Sequence, residues 1–106
     1  MRITKQINNN FCLCKTDYVL TASMEALTNL LGEPSYTSND YEDKIHYEWV
    51  ININGKIISI YDYSTNFTLT NIQMIWFVGS NCTDINKEIK YLTKKLRIHR
   101  KSTEDI

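Results

Sequence analysis

The chain reads as an α+β domain: an antiparallel sheet of three or more strands with two helices packed on one face. Three observations predict this. An Asn54-Gly55 pair stands between two runs of β-favouring residues, a further such run lies at residues 72–78, and two stretches carry apolar residues at helical spacing. A lone hairpin does not hold in water, so the third strand and the helices are needed to cover its apolar side.

Residues 1–22 alternate weakly, and the polar run Asn8-Asn9-Asn10 interrupts them. This predicts irregular structure with short strands around residues 11–14 and 18–20. From Ser23 the period changes: Met24, Leu27, Leu30 and Leu31 share a helical face, Ser23 can cap the first-turn amides, and Glu25 suits the positive end of the helix dipole. Gly32 and Pro34 stop that helix. Residues 35–44, SYTSNDYEDK, are polar and acidic and predict an exposed loop.

The hairpin is the best-defined element. Ile45, Tyr47, Trp49, Ile51 and Ile53 alternate with His46, Glu48, Val50 and Asn52, and a second run follows at residues 57–63. A type I′ turn needs positive φ at both central residues, which Asn and Gly tolerate. With Asn54 and Gly55 as that turn, Trp49 faces Ile60 and Ile51 faces Ile58 on the core side. The other side then pairs His46 with Tyr63, Glu48 with Tyr61, Val50 with Ser59 and Asn52 with Ile57. A slip of one residue would exchange the two faces.

Residues 64–70 form a polar connection. In the third strand Met74, Trp76 and Val78 share one side and Ile75 and Phe77 the other, and Gly79-Ser80-Asn81 is expected to end it as a turn. A second helix is expected to start near Thr83 or Asp84. Its stripe is Ile85, Ile89, Leu92 and Leu96, with Lys87, Lys90, Lys94 and Lys95 turned to water. Residues 97–106 lack periodicity and are expected to fray, leaving residues 1–96 as one domain.

With 106 residues the chain has room for one core. Twelve basic residues balance twelve acidic ones and the pI is near 6.7, so no overall attraction to nucleic acid or an anionic membrane follows. The short RIHRK run is too small to constitute a nucleic-acid site. No apolar run approaches the roughly 20 residues of a membrane helix, and the first ten residues lack the apolar stretch of a secretion signal. The expected location is intracellular, in a host cytoplasm. Cys12, Cys14 and Cys82 form an odd set, expected as free, buried thiols, and with His46 and His99 they lack the paired spacing of a structural zinc site. No metal or cofactor is expected. Isoleucine and asparagine abound while alanine is confined to Ala22 and Ala26 and proline to Pro34, a bias of AT-rich genes such as those of phages, large DNA viruses and some bacteria.

The polar hairpin face gathers His46, Glu48, Ser59, Tyr61 and Tyr63, with Asp62 at the edge of the core face beside Tyr47. His and Glu two residues apart on a strand point the same way, so a general base and its orienting partner could converge there. The same residues suit a binding surface, or a solvated face on which the Glu48–Tyr61 and His46–Tyr63 pairs stabilise the hairpin by a few tenths of a kcal/mol each. No motif with a named catalytic mechanism is present, so no catalytic residue is assigned. An unpaired carboxylate at Asp62 would be costly, and a strand end, a bond to backbone amides of the following turn, or contact with a ligand or lysine would each resolve it. Trp49 and Trp76 read as core.

The segments LLGEP (30–34), HYEWVI (46–51), GKIISIYDY (55–63) and WFVGS (76–80) resemble a family of small phage and large-DNA-virus proteins. That family has a helix ending in F/L-G-E-P, a strand with E-W-x-I, an I-Y-D-Y/W strand and a W-H-I/V-G-G ending. The resemblance covers about half the chain, in order, and implies a viral accessory protein. It matches at Gly32, Glu33, Pro34, Glu48, Trp49, Tyr61, Asp62, Tyr63, Trp76 and Gly79. Phe77 stands where the family has histidine and Ser80 where it has a second glycine. Packing explains Glu33, Glu48, Tyr61 and Asp62 least, and with His46 and Tyr63 they are the candidate ligand-binding residues.

The expected function is a non-catalytic binder that antagonises host defence by sequestering a nucleotide-type small molecule. Aromatic faces stack bases, carboxylates accept from amines and ribose hydroxyls, and the Gly79-Ser80-Asn81 turn would offer amides to phosphate. Two alternatives stand beside it. One is an inhibitor that docks on a host defence protein through the acidic loop 38–43, with Asp40, Glu42 and Asp43. The other is a hydrolase or nuclease using His46 with Glu48 or Asp62. Self-association is left open.

Overall fold

The computed structural model describes residues 1–6, 13–40, 42, 44–63 and 73–104, with residues 98–104 described by their backbone alone. In chain order the elements are β1 (Ile3–Lys5), β2 (Cys14–Ala22), α1 (Met24–Leu31), β3 (Tyr36–Thr37), β4 (Tyr47–Ile53), β5 (Lys56–Tyr61), β6 (Met74–Ser80) and α2 (Asn86–Glu104). All six strands join one antiparallel sheet in the order β1-β4-β5-β6-β2, with β3 also pairing with β4. The architecture is the α+β one that the sequence predicts.

The hairpin forms in the predicted register, with Trp49 opposite Ile60, Ile51 opposite Ile58 and Glu48 opposite Tyr61. Asn54 and Gly55 take φ of 54° and 78°, the left-handed pair that a type I′ turn requires. Ser23 caps α1 by accepting from the Ala26 amide, and Gly32, at φ 86°, ends it by donating its amide to the Thr28 carbonyl. One face of the sheet carries Leu20, Ala22, Trp49, Ile51, Ile53, Ile58, Ile60, Trp76 and Val78, all buried with Leu27 and Leu31 of α1 and Ile89, Leu92 and Leu96 of α2. Both helices therefore cover the same face.

Six features differ from those expected. β1 was not anticipated, and β2 is one nine-residue strand rather than two fragments. Its alternation is broken by a register shift between Lys15 and Val19, where the Thr16 hydroxyl donates to the Val78 carbonyl and accepts from the Tyr18 amide. The polar loop 35–44 contains β3, held to β4 at Tyr36–Glu48 and Thr37–Tyr47. Gly79 and Ser80 do not turn; they continue β6 between Lys15 and Ser59 and between Cys14 and Ile58. Helix α2 starts at Asn86 rather than near Thr83, because the Ile85 carbonyl takes the Ile89 amide as its first bond, and it remains helical to Glu104, where the reading expected a frayed tail. The expected strand around residues 11–12, the start of the third strand at Ile72 and the connection 64–70 lie outside the described residues.

One polar tie fastens the hairpin to α2. The Lys56 ammonium donates to the Glu88 carboxylate at 2.8 Å and to the Asp84 carbonyl at 2.6 Å, and the Glu88 side chain is buried. The bond from Lys56 holds the Glu88 carboxyl below its ordinary 4.5 against the opposing effect of burial, and the same bond raises the Lys56 ammonium above its ordinary 10.5. A carboxyl lowered on folding contributes stability in full above its unfolded value and loses it as pH falls through the folded one. In Lys56→Met this contribution is gone and Glu88 is buried without its cation. Urea midpoints of the two proteins should therefore differ most above about pH 4.5 and converge as the pH falls below it. A difference that grows on acidification would refute the role given to this pair.

Candidate binding cleft on the sheet face away from the helices

Alternation along β4, β5 and β6 sends a second set of side chains to the face opposite the helices. Glu48, Ser59 and Tyr61 stand there on the hairpin, and Gly79 and Phe77 beside them on β6. The Ser59 hydroxyl donates to Glu48 Oε2 at 2.5 Å, which fixes the carboxylate above the sheet. Gly79 has no side chain to fill the space between them. A Cβ built there would lie 3.4 Å from the Cys14 carbonyl oxygen, 3.7 Å from Tyr61 Cε1 and 3.8 Å from Ser59 Cβ. The result is a cleft of about 440 Å³, walled by Lys15, Glu48, Ser59, Tyr61 and Tyr63 with Gly79 as its floor. That volume lies within the roughly 300–1,000 Å³ of small-molecule sites.

Burial raises the Tyr61 hydroxyl above its ordinary 10.0, helped by the negative charge of Glu48 and by Tyr63. At neutral pH Tyr61 is therefore an un-ionised donor beside a carboxylate acceptor. The aromatic residues form a row: Tyr61 and Phe77 are tilted with centroids 6.1 Å apart, and Tyr63 meets Phe77 edge-on at 6.2 Å. Lys15 Nζ stands 5.0 Å from the Phe77 centroid and Lys44 Nζ 5.7 Å from that of Tyr63. Phe77 is thus the middle of this row.

The structure brings Glu48, Tyr61 and Tyr63 together in the cleft and separates the other three candidates from it. Strand pairing stops at Glu48–Tyr61, so His46 does not face Tyr63. His46 is buried, its Nδ1 3.7 Å from Asp62 Oδ2 and its Nε2 3.1 Å from the Asp40 carbonyl. Asp62 is buried too, and its Oδ1 accepts from the amides of His46 and Tyr47, both at 2.9 Å. Its burial is thus resolved at the strand end, by amides at the start of β4 and not by those of the following turn. Glu33 is exposed in the α1–β3 connection and does not line the cleft. His46 and Glu48 are therefore not assembled as an acid–base pair.

Of the acidic loop, Tyr41 and Asp43 lie outside the described residues. Cys14 is exposed and Cys82 half-buried, not the buried pair expected, and both are free; Cys12 lies outside the described residues. Among the described residues no three metal-ligating side chains gather, and no helix is long and apolar enough to cross a membrane. The phosphate-facing turn expected at residues 79–81 is absent, since Asn81 spends its side-chain oxygen on the Ile57 amide and Gly79 and Ser80 are in the ladder. Ser80 donates to the Ile57 carbonyl and accepts from the Cys82 amide.

Comparison of the chain with protein-family models, curated proteins and solved structures finds no match.

Sequence reading missed Lys15 and Lys44. Their signal is cations near aromatic positions, but Lys15 reaches Phe77 only because β2 docks beside β6.

Proposed function

We propose that this protein is a non-catalytic binder whose cleft takes a nucleotide-type small molecule. The observation that carries this reading is the Gly79 floor beside the neutral Tyr61 ring, with Glu48 pinned at the rim by Ser59. A flat heterocycle resting there has an aromatic neighbour, a carboxylate to receive its amine hydrogens and a phenol to donate back. Lys15 at the side supplies the positive charge that a phosphate needs. The AT-rich composition and the phage-like motif string support placing the protein among viral accessory proteins that antagonise host defence by sequestering such a ligand.

Calorimetry of the full chain against adenine and guanine nucleotides, mono- and dinucleotide, tests this. At least one should bind more tightly than about 1 mM. Tyr61→Ala and Glu48→Gln should each weaken that binding about tenfold or more while leaving the unfolding free energy from urea denaturation within about 0.5 kcal/mol of the parent. Silence across the panel would overturn the reading.

A further inference from the structure

The cleft does not stand alone. It shares Ile45, Glu48 and Tyr63 with a cavity of about 500 Å³ that also contains Tyr36, Glu42 and Lys44. On its other side it shares Cys14 and Lys15 with a cavity of about 480 Å³ that extends to Asp17, Asn81 and Thr83. The three together form one groove, running from the β3–β4 corner of the sheet across the hairpin to the β2 edge.

Each of these cavities alone has the size of a small-ligand site. Charge and aromatic surface are distributed along the groove rather than concentrated at its centre. Lys44 stands over Tyr63 toward one end, Lys15 stands over Phe77 toward the other, and the Phe77–Tyr63 edge contact links the two rings. Among the described residues neither ammonium is ion-paired, whereas Lys56 is. Two cations without an ion pair among the described residues, separated by a pair of rings, match a ligand with two phosphates and two bases. A mononucleotide would use one end and leave the other empty.

Resting on the nucleotide reading above, we propose that the groove takes a dinucleotide, two bases joined through a phosphodiester linkage and carrying two phosphates. One base lies on the Gly79 floor against Tyr61 with its amine edge toward Glu48. The second occupies the Tyr36–Lys44 cavity, and Lys15 and Lys44 each face one phosphate. Joining two weak subsites makes the second contact intramolecular, so affinity rises steeply without a new kind of interaction.

The test is calorimetry of the full chain with four probe classes: AMP and GMP, 5′-phosphorylated linear ApA and GpG, the corresponding cyclic dinucleotides, and a hexaadenylate strand. A linear or a cyclic dinucleotide should bind about 100-fold more tightly than the mononucleotide of the same base, and which of the two leads identifies the source of the shared chemistry. Lys44→Ala should remove most of that advantage while changing mononucleotide affinity less than about threefold, and Lys15→Ala should weaken both classes about tenfold. Far-UV circular dichroism checks that both exposed-lysine variants keep the fold. Equal affinity for mono- and dinucleotides overturns the proposal and leaves the nucleotide reading standing. Hexaadenylate binding more than about tenfold tighter than the dinucleotides overturns it in favour of a single-strand platform. Silence with all four classes overturns both.

Discussion

Trp49→Ala should cost about 3–5 kcal/mol and leave the protein largely unfolded. The ring is fully buried, meets Trp76 edge-on at 5.4 Å between centroids, and donates its Nε1 hydrogen to the Gly32 carbonyl at 2.9 Å, which ties β4 to the end of α1. Truncation removes a large apolar surface, opens a cavity against Trp76 and leaves the Gly32 carbonyl without that donor. A domain of this size has about 5–15 kcal/mol in total, so the loss is a large share of its stability. Trp49→Phe keeps most of the ring and forfeits the hydrogen bond, for an expected loss of about 1–2 kcal/mol. Urea denaturation followed by far-UV circular dichroism reads both. A Trp49→Ala protein as stable as its parent would mean that the hairpin does not sit in this register.

Asp62→Ala is expected to be the most damaging change among the candidate polar residues, with a loss of about 3 kcal/mol or more. One carboxylate oxygen serves the amides of His46 and Tyr47 at the point where the strands part, and the residue is buried. Alanine would leave both amides without that acceptor and remove the carboxylate oxygen 3.7 Å from His46 Nδ1. Asparagine can present an oxygen to the same two amides, so Asp62→Asn should lose much less. Urea midpoints for the two variants give the comparison. A well-folded Asp62→Ala protein that had lost only ligand binding would move Asp62 from the frame of the hairpin into the site.

These two residues also show how far the sequence could be read. Trp49 was legible because the Asn54-Gly55 turn fixes a register and the register fixes a face. Glu48 opposite Tyr61 followed from the same arithmetic, as did the core positions of β4 and β5. The reading failed two residues further on, where it continued the pairing to His46 and Tyr63. A period-2 pattern does not announce where a ladder ends, and here it ends because Asp62 turns inward and takes the amides that a longer strand would have paired. β2 was obscure for a related reason: the register shift after Lys15 spoils the alternation on which strand recognition depends. The groove was legible only in its hairpin half. Lys15, Cys14 and Gly79 join it through the pairing of β2 with β6, some sixty residues apart in sequence, and no local pattern encodes that neighbour relation.

The strand order has a consequence in time. β1 and β2 are made before the strands they pair with, yet they take the two outer flanks of the sheet, β1 against residues 51–53 of β4 and β2 against residues 74–80 of β6. β1 has no partner until residues 51–53 have been made, and β2 none until residues 74–80 follow. Meanwhile the β4–β5 hairpin, joined by a two-residue turn, has the short closure that allows early assembly. A nascent chain ending before residue 74 carries Leu20 and Trp49 with no Trp76 to meet them. The sheet is therefore completed late, when β6 arrives to take β2 on its outer side.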